Sequence, residues 1–199
     1  MSKKALLIVD VQNDFCPGGA LAVPHGDEVI KPLNKVVDYA KRNGWLILAS
    51  RDWHPAVTKH FKNYGGIWPV HCVHYTPGAK FHSELIACEA VIVSKGTQQI
   101  EDGYSAFDGR TDSISFGGWK LAAFLEINDV SELYIGGLAT DYCVKASAMD
   151  ATKNGFKTYL LLDACRAVDL KPSDGDKALK EMENAGIVVT TTQEVLNAR

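Results

Sequence analysis

The sequence lacks the features that define several large classes of protein. Its formal net charge of -3 comes from scattered acids and bases, without a basic block or a basic amphipathic helix. We therefore expect neither a nucleic-acid partner nor a membrane partner. No C-x-x-C pair is present, which argues against a disulfide framework and against a structural zinc knuckle. The five cysteines are Cys16, Cys72, Cys88, Cys143 and Cys165.

Long apolar runs are also missing. No stretch approaches the length of a transmembrane helix, and the first apolar run, residues 5–9, is too short for a signal peptide and meets Asp10 at once. These absences predict a cytoplasmic protein. The chain has 199 residues, of which 46% are hydrophobic and 23% charged. We expect a single domain, residues 1–199, with one sizeable core.

The sequence does contain a regular alternation of short apolar runs with helical patterns. The predicted strands are residues 5–9, 45–49, 90–93, 132–135, 157–162 and 187–190. The predicted helices are residues 27–42, 119–126, 140–153 and 173–184, with a short last helix from Thr192. This alternation predicts an α/β fold with three α/β/α layers around a doubly wound, six-stranded parallel sheet. Ligands of such sheets bind beyond the carboxyl ends of the strands.

Four residues that can carry chemistry lie just past the carboxyl ends of predicted strands: Asp10, Asp52, Lys95 and Cys143. Each has an ordinary explanation on its own, such as a helix cap, a surface lysine or a buried cysteine. Their shared position favours a common site. A cysteine nucleophile needs a proton acceptor and a balancing cation, and Asp10 and Lys95 suit these roles.

Cys143 stands on a turn from a strand to a helix, behind Gly136 and Gly137. Thr140 or Asp141 is expected to cap the helix that follows. Amide groups and the positive end of the helix dipole meet in the first helical turn. We therefore expect the thiolate form of the cysteine to be favoured there.

A second cluster of chemistry lies in the long irregular segment after the second predicted strand. Asp52 and His54 leave that strand, and Trp68-Pro69 precedes His71. Imidazole and carboxylate ligands suit a divalent transition metal such as Zn²⁺, Fe²⁺ or Mn²⁺. His60 is a weaker candidate ligand. The three other histidines are interpreted as ordinary polar residues: His25, His74 and His82.

Six motifs in the same order make the chain similar to the nicotinamidase (pyrazinamidase) branch of the isochorismatase-like cysteine hydrolases. They are IVDVQNDF at 8–15, RDWHP at 51–55, GIWPVHCV at 66–73, SKG at 94–96, YSAF at 104–107 and GLATDYCV at 137–144. The resemblance covers nearly the whole length. It implies hydrolysis of nicotinamide to nicotinate and ammonia, and of pyrazinamide to pyrazinoate, through a cysteine thioester in NAD salvage.

The resemblance also implies roles for individual residues. The implied catalytic triad is Asp10, Lys95 and Cys143, and the implied metal ligands are Asp52, His54 and His71. The metal, Zn²⁺ before Fe²⁺ or Mn²⁺, would bind the pyridine nitrogen of the substrate. Substrate-binding positions would be Phe15 and Trp68, which sandwich the ring, together with Tyr104 and Ala139. A cis peptide between Leu138 and Ala139 would aim the Ala139 and Cys143 amides at the carbonyl oxygen as an oxyanion hole.

One departure from the branch concerns His60. Many members read His-Pro-x-x-His-x-Ser-Phe here, whereas this chain has HPAVTKHF at residues 54–61. The histidine is displaced to a position that is often serine. Because some nicotinamidases place a fourth ligand at this point, His60 stays a candidate ligand.

Three alternative functions remain open at this stage. The nearest is another amidohydrolase of the superfamily, such as a carbamoyl or ureido amidase or an isochorismatase, although these generally lack this metal pattern. A non-catalytic metal- or ligand-binding module is disfavoured by the retained Asp10, Lys95 and Cys143. A thiol-redox protein is disfavoured because Cys143 has no resolving cysteine close in sequence. Metal identity and oligomeric state, including a homo-oligomer, stay open.

Overall fold

The computed structural model describes residues 3–87, 89–112 and 118–197, so Cys88 and residues 113–117 lie outside the described residues. The strands are β1 (Lys3–Val9), β2 (Leu46–Asp52), β3 (Val91–Lys95), β4 (Arg110–Thr111), β5 (Val130–Leu138), β6 (Lys157–Arg166) and β7 (Val188–Thr190). The α-helices are α1 (Ile30–Arg42), α2 (Leu121–Ile127), α3 (Lys145–Lys153), α4 (Asp174–Asn184) and α5 (Thr192–Asn197).

The strands form one sheet in the order β4-β3-β2-β1-β5-β6-β7. Every neighbouring pair is parallel except β3 and β4, which are antiparallel. The predicted α/β class and the six parallel strands are confirmed, whereas the predicted total of six strands is wrong by one. β4 escaped prediction because a two-residue edge strand has no periodicity to read.

The core lies on both faces of the sheet, as the apolar runs predict. Alternate residues of β1 point to opposite sides, so Leu6 and Ile8 join one cluster while Leu7 and Val9 join the other. α1 and α5 cover the first face, and α2, α3 and α4 cover the second. The result is the expected three-layer arrangement, with the central strands buried on both sides.

The predicted helix at residues 27–42 begins slightly later than its sequence pattern indicates. A 3-10 turn, Gly26–Val29, precedes α1. Apolar positions three and four residues apart then give α1 one buried face, formed by Ile30, Leu33, Val36, Val37 and Ala40. Among the described residues, no helix combines the length and apolar character needed to cross a bilayer.

The segment between β2 and β3 closes over the carboxyl ends of the central strands. Within its described part, its one helical piece is the 3-10 turn Lys62–Tyr64. Isolated bridges join His54 to Val73 and Phe61 to Trp68 within the segment, and a third bridge joins Phe81 of the segment to Gln12 after β1. This long connection therefore supplies a fixed wall above the sheet edge where ligands of such folds bind.

Candidate active site and metal centre

Asp10, Lys95 and Cys143 meet at the carboxyl ends of β1, β3 and β5. The Lys95 ammonium lies 2.8 Å from Asp10 Oδ2 and 3.4 Å from Cys143 Sγ. It also donates to the Gly103 carbonyl oxygen at 2.9 Å. All three side chains are buried, with Cys143 retaining 7% exposure. The structure therefore brings together the three residues that were grouped by their positions past the strand ends.

The Asp52 carboxylate is shared between this trio and a second group of side chains. Its Oδ1 accepts a hydrogen bond from Lys95. Its Oδ2 faces His54 Nε2 at 3.5 Å and His71 Nε2 at 3.7 Å. One carboxylate therefore joins the Lys95 cation to the imidazoles.

Burial and charge set opposite protonation preferences for the two carboxylates. Burial raises the pKa of Asp10, and the Asp52 charge adds to this, while Lys95 opposes it. Burial also disfavours the charged form of Asp52, but Lys95 and the two histidines hold the pKa of Asp52 well below its ordinary value. The charged form of Asp52 is thus favoured, whereas the proton affinity of Asp10 is raised.

Lys95 is charged despite its complete burial. Desolvation lowers the pKa of a buried ammonium, but the Asp10 and Asp52 carboxylates outweigh it and raise the pKa of Lys95 well above its ordinary value. The Ser50 hydroxyl donates to Asp10 Oδ1 at 2.7 Å and fixes that carboxylate from the β2 side. Asp10 has a positive φ of 50°, a strained conformation for a residue other than glycine.

Cys143 lies in a π-helical turn, Thr140–Val144, that leads into α3. The predicted helix over residues 140–153 is therefore an α-helix only from Lys145. The peptide between Leu138 and Ala139 is cis, as the resemblance implies. Single π-helical turns within helices are frequent at functional sites.

The expected capping of this helix by Thr140 or Asp141 is wrong. Neither side chain makes a capping hydrogen bond. The Asp141 carboxylate instead accepts the backbone N–H groups of Val168 and Asp169, both at 2.9 Å. It therefore ties the turn that carries the cysteine to the loop after β6.

The expectation that the Cys143 thiolate is favoured is also wrong for this environment. Burial raises the pKa of Cys143 well above its ordinary value, and the two neighbouring carboxylates add to this effect while Lys95 opposes it. The sequence indicates the helix start, but it does not show that the folded chain excludes water from the sulfur. Burial thus favours the neutral thiol, and Asp10 places a carboxylate oxygen within 4.8 Å of Sγ.

His54, His60 and His71 form a cluster of buried imidazoles. Each places one ring nitrogen within 4.8 Å of the others, and the rings of His54 and His60 stack with centroids 4.6 Å apart. Burial lowers the pKa of His60 to about 4, with Asp102 opposing the shift, so this ring is neutral at pH 7. Although His60 is the weakest candidate ligand in the sequence, its ring nitrogen lies within the same 4.8 Å of the other two as theirs do of each other.

The donor set of this cluster fits a transition metal ion. Nδ1 of His54 bonds to the Gly96 carbonyl oxygen at 2.9 Å, and Nδ1 of His71 bonds to that of Pro69 at 2.8 Å. A carbonyl oxygen only accepts, so in neutral rings Nδ1 carries the hydrogen and Nε2 keeps its lone pair. Within the described structure, His54 Nε2 is buried without a hydrogen-bond partner. Three imidazoles and one carboxylate form a ligand set suited to Zn²⁺.

A small cleft connects the imidazoles with Cys143. Its walls include the predicted ring-binding residues Phe15, Trp68, Tyr104 and Ala139, together with Leu21, Val23, Leu138, Tyr142 and Val168. The Trp68 indole N–H donates to the Tyr104 hydroxyl at 2.8 Å, which fixes both aromatic side chains. The cleft is mostly apolar, and its lining also includes Asp52, His60, His71 and Cys143.

Gln12 is a buried site residue that sequence reasoning missed as an individual. Its side-chain amide donates to the carbonyl oxygens of Asp52 at 2.8 Å and Ala79 at 2.9 Å, and its oxygen accepts the Asp52 N–H at 2.7 Å. Gln12 thereby fixes Asp52 through the backbone groups of that residue. The one available signal was the position of Gln12 two residues after Asp10, inside a recognised motif.

Replacing Gln12 by leucine is expected to lower the free energy of unfolding by about 2–4 kcal/mol, because three buried backbone groups lose their partners. The measurement is the denaturant midpoint, with an unchanged dependence on denaturant concentration. Gln98→Leu, at an exposed position, is the matched control and should shift stability by about 0.5 kcal/mol or less. Equal midpoints for the two variants would contradict the assignment.

The histidines interpreted as ordinary lie outside this cluster. The His25 ring is exposed and lies 3.1 Å from Glu28. His74 contacts the rings of Trp53 and Tyr75. His82 accepts the backbone N–H of Glu84 at 3.3 Å.

Comparison with known proteins identifies the family of the chain. Residues 4–194 match the isochorismatase domain, and the chain therefore belongs to the isochorismatase family of hydrolases. It is 39% identical to the nicotinamidase of Escherichia coli strain K12, with 96% of each chain covered. The crystal structure of the Pyrococcus horikoshii pyrazinamidase in complex with zinc is 46% identical, with a TM-score of 0.85 over 95% of this chain and 99% of that chain. The yeast nicotinamidase bound to the inhibitor nicotinaldehyde is 32% identical, with a TM-score of 0.83 over 94% of this chain and 99% of that one.

Proposed function

We propose that this protein is a nicotinamidase that hydrolyses nicotinamide to nicotinate and ammonia, and pyrazinamide to pyrazinoate. One observation carries the proposal: a mostly apolar cleft is lined both by Cys143, which Lys95 and Asp10 adjoin, and by His60 and His71 of the three-imidazole cluster. The first group suits attack on a carboxamide. The second suits capture of a heteroaromatic nitrogen at a fixed distance from it. The names of the relatives support the same substrates.

In the proposed reaction, the Asp10 carboxylate accepts the proton of the Cys143 thiol, and the sulfur attacks the carboxamide carbon. The backbone amides of Ala139 and Cys143 donate to the oxygen that becomes negative. Asp10 returns the proton to the departing nitrogen, so ammonia leaves and a thioester remains. Water, with Asp10 accepting its proton, then cleaves the thioester to nicotinate and restores the thiol.

The electrostatics described above suit each step. A raised pKa brings Asp10 closer to the proton affinity that general acid–base catalysis near neutral pH requires. Lys95 keeps its charge throughout and offsets the negative charge that passes between Cys143 and Asp10. Direct transfer to Asp10 also removes the need for a stable free thiolate in the resting protein.

We propose that Asp52, His54, His60 and His71 hold one divalent metal ion, with Zn²⁺ favoured by the donor set and by the zinc complex of the archaeal relative. When bound, this ion supplies a Lewis-acidic position for the pyridine nitrogen. Phe15 and Trp68 are the ring-contacting residues of the proposal, and Tyr104 fixes Trp68. The product nicotinate is a pyridine carboxylate that can serve as a precursor of pyridine nucleotides, which agrees with a role in NAD salvage.

Ammonia release by the purified protein, with metal content measured on the same sample, is the test of this function. We expect release from nicotinamide and pyrazinamide, and little from benzamide, which lacks the ring nitrogen. Removing the metal should weaken nicotinamide binding by about 10²-fold or more, because a metal ion contributes several kcal/mol to a bound ligand atom. Release from carbamoyl or ureido compounds in place of nicotinamide would identify a different amidohydrolase instead.

A further inference from the structure

In all three imidazoles of the cluster, Nδ1 is the nitrogen that is hydrogen-bonded outside the cluster, but the partner of this nitrogen differs. His54 and His71 are each held at Nδ1 by a backbone carbonyl oxygen. The Nδ1 of His60 is held by a side chain, Asp102 Oδ1, at 2.9 Å. A carboxylate only accepts, so Nδ1 carries the hydrogen and Nε2 of His60 is left for the inside of the cluster.

Asp102 reaches this position from the solvent side of the cluster. Its side chain is 63% exposed, whereas that of His60 is 3% exposed. The two residues lie on different segments, one before β3 and one after it, that are also joined by a hydrogen bond from Lys59 N to Gln99 O at 2.9 Å. The carboxylate therefore covers the edge of the cluster nearest to water.

The residues next to Asp102 connect it to both halves of the site. The carbonyl oxygen of Gly103 accepts from Lys95, and the hydroxyl of Tyr104 accepts from Trp68. The two residues that follow Asp102 are thus hydrogen-bonded to the site. These bonds fix the backbone from which the Asp102 side chain reaches His60.

We propose that Asp102 is a positioning residue that orients His60 for metal binding and slows the loss of the metal. The inference rests on the metal site of the proposed function. A carboxylate on the far nitrogen of a ligating histidine fixes the ring, selects the tautomer and makes the inward nitrogen a stronger donor. His60, the displaced histidine of the HPAVTKHF segment, is thereby held by a side-chain carboxylate, whereas His54 and His71 are held by backbone carbonyl oxygens.

The test compares zinc affinity of wild type, Asp102→Ala and Asp102→Asn, measured by competition with a chelating dye. Asp102→Ala should bind zinc about 10- to 100-fold more weakly, the range found when outer partners of metal ligands are removed. Asp102→Asn retains an oxygen acceptor without the charge and should fall between. Glu101→Gln, a charge-removing change at the exposed neighbouring residue, is the control and should match wild type.

Two further measurements separate positioning from a general structural effect. The visible spectrum of the cobalt-substituted protein should change in Asp102→Ala and not in Glu101→Gln. In a His60→Ala background, Asp102→Ala should have no additional effect on affinity, because the two residues act through one contact. An equal loss in that background would overturn the proposal.

The failure of this inference differs from failure of the proposed function. Wild type that binds zinc tightly and releases ammonia, with Asp102→Ala unchanged in affinity and cobalt spectrum, would overturn the role of Asp102 alone. Wild type that releases no ammonia from nicotinamide and retains no metal would overturn the proposed function, and with it the inference.

Discussion

Replacing Cys143 by alanine is expected to lower ammonia release from nicotinamide by about 10⁴-fold or more, because removing a covalent nucleophile has effects of this size. The surrounding ion network should survive. Lys95 keeps its contacts with Asp10, Asp52 and the Gly103 carbonyl oxygen when the sulfur is removed. The variant should therefore remain folded and still bind nicotinamide, which calorimetry on the metal-loaded protein would measure.

A matched control for this variant is Cys165→Ala. Cys165 is also buried, at 5% exposure, but it lies in β6, and burial raises its pKa to about 12. Its replacement removes the same atom from a packed interior and should leave the rate within about threefold of wild type, as expected away from the reacting groups. Turnover by Cys143→Ala above the background of the assay would rule out the thioester route.

Replacing Asp10 by asparagine is expected to lower the rate by about 10²- to 10⁴-fold, the usual contribution of a positioned general base. The amide has nearly the same size, but it cannot accept the thiol proton. It also places an uncharged group 2.8 Å from Lys95, where the carboxylate Oδ2 lay. Steady-state rates with nicotinamide would measure the effect, and metal content should stay at the wild-type value.

Ser50→Ala serves as the control for Asp10. It removes the 2.7 Å hydrogen bond to Asp10 Oδ1 and leaves the charge of the carboxylate in place. The expected loss is about tenfold, which corresponds to about 1.4 kcal/mol and lies near the lower end of what one hydrogen bond to a charged group contributes. If Asp10→Asn lost less activity than Ser50→Ala, another group would have to accept the thiol proton.

Much of the fold could be predicted because its main signals are local. The buried run at residues 5–9 predicted β1, and the apolar spacing within residues 27–42 predicted α1. The ends of β5 and β6 were harder to place. β6 continues to Arg166, four residues past its apolar run, because pairing with β5 resumes at Cys165 and Arg166 after an irregularity. Such pairing depends on a neighbour distant in sequence.

The candidate site likewise contains residues that could be grouped from the sequence and contacts that could not be predicted from it. Asp10, Asp52, Lys95 and Cys143 could be grouped from sequence because parallel strands bring their carboxyl ends to one edge. The contacts of Gln12 with Asp52 and of Asp102 with His60 each join residues about forty positions apart, and no periodicity encodes them. The ionisation of Cys143 was mispredicted for a related reason, because desolvation depends on the whole surrounding fold.

The shared carboxylate of Asp52 limits how this site can change over evolution. One of its oxygens contacts Lys95 and the other faces His54 and His71, so a substitution at Asp52 would disturb the Lys95 cation and the imidazole cluster together. Effects of substitutions at Asp52, Lys95 and His71 should consequently be non-additive. We therefore expect no single substitution at Asp52 to alter the imidazole cluster and leave the environment of Lys95 unchanged.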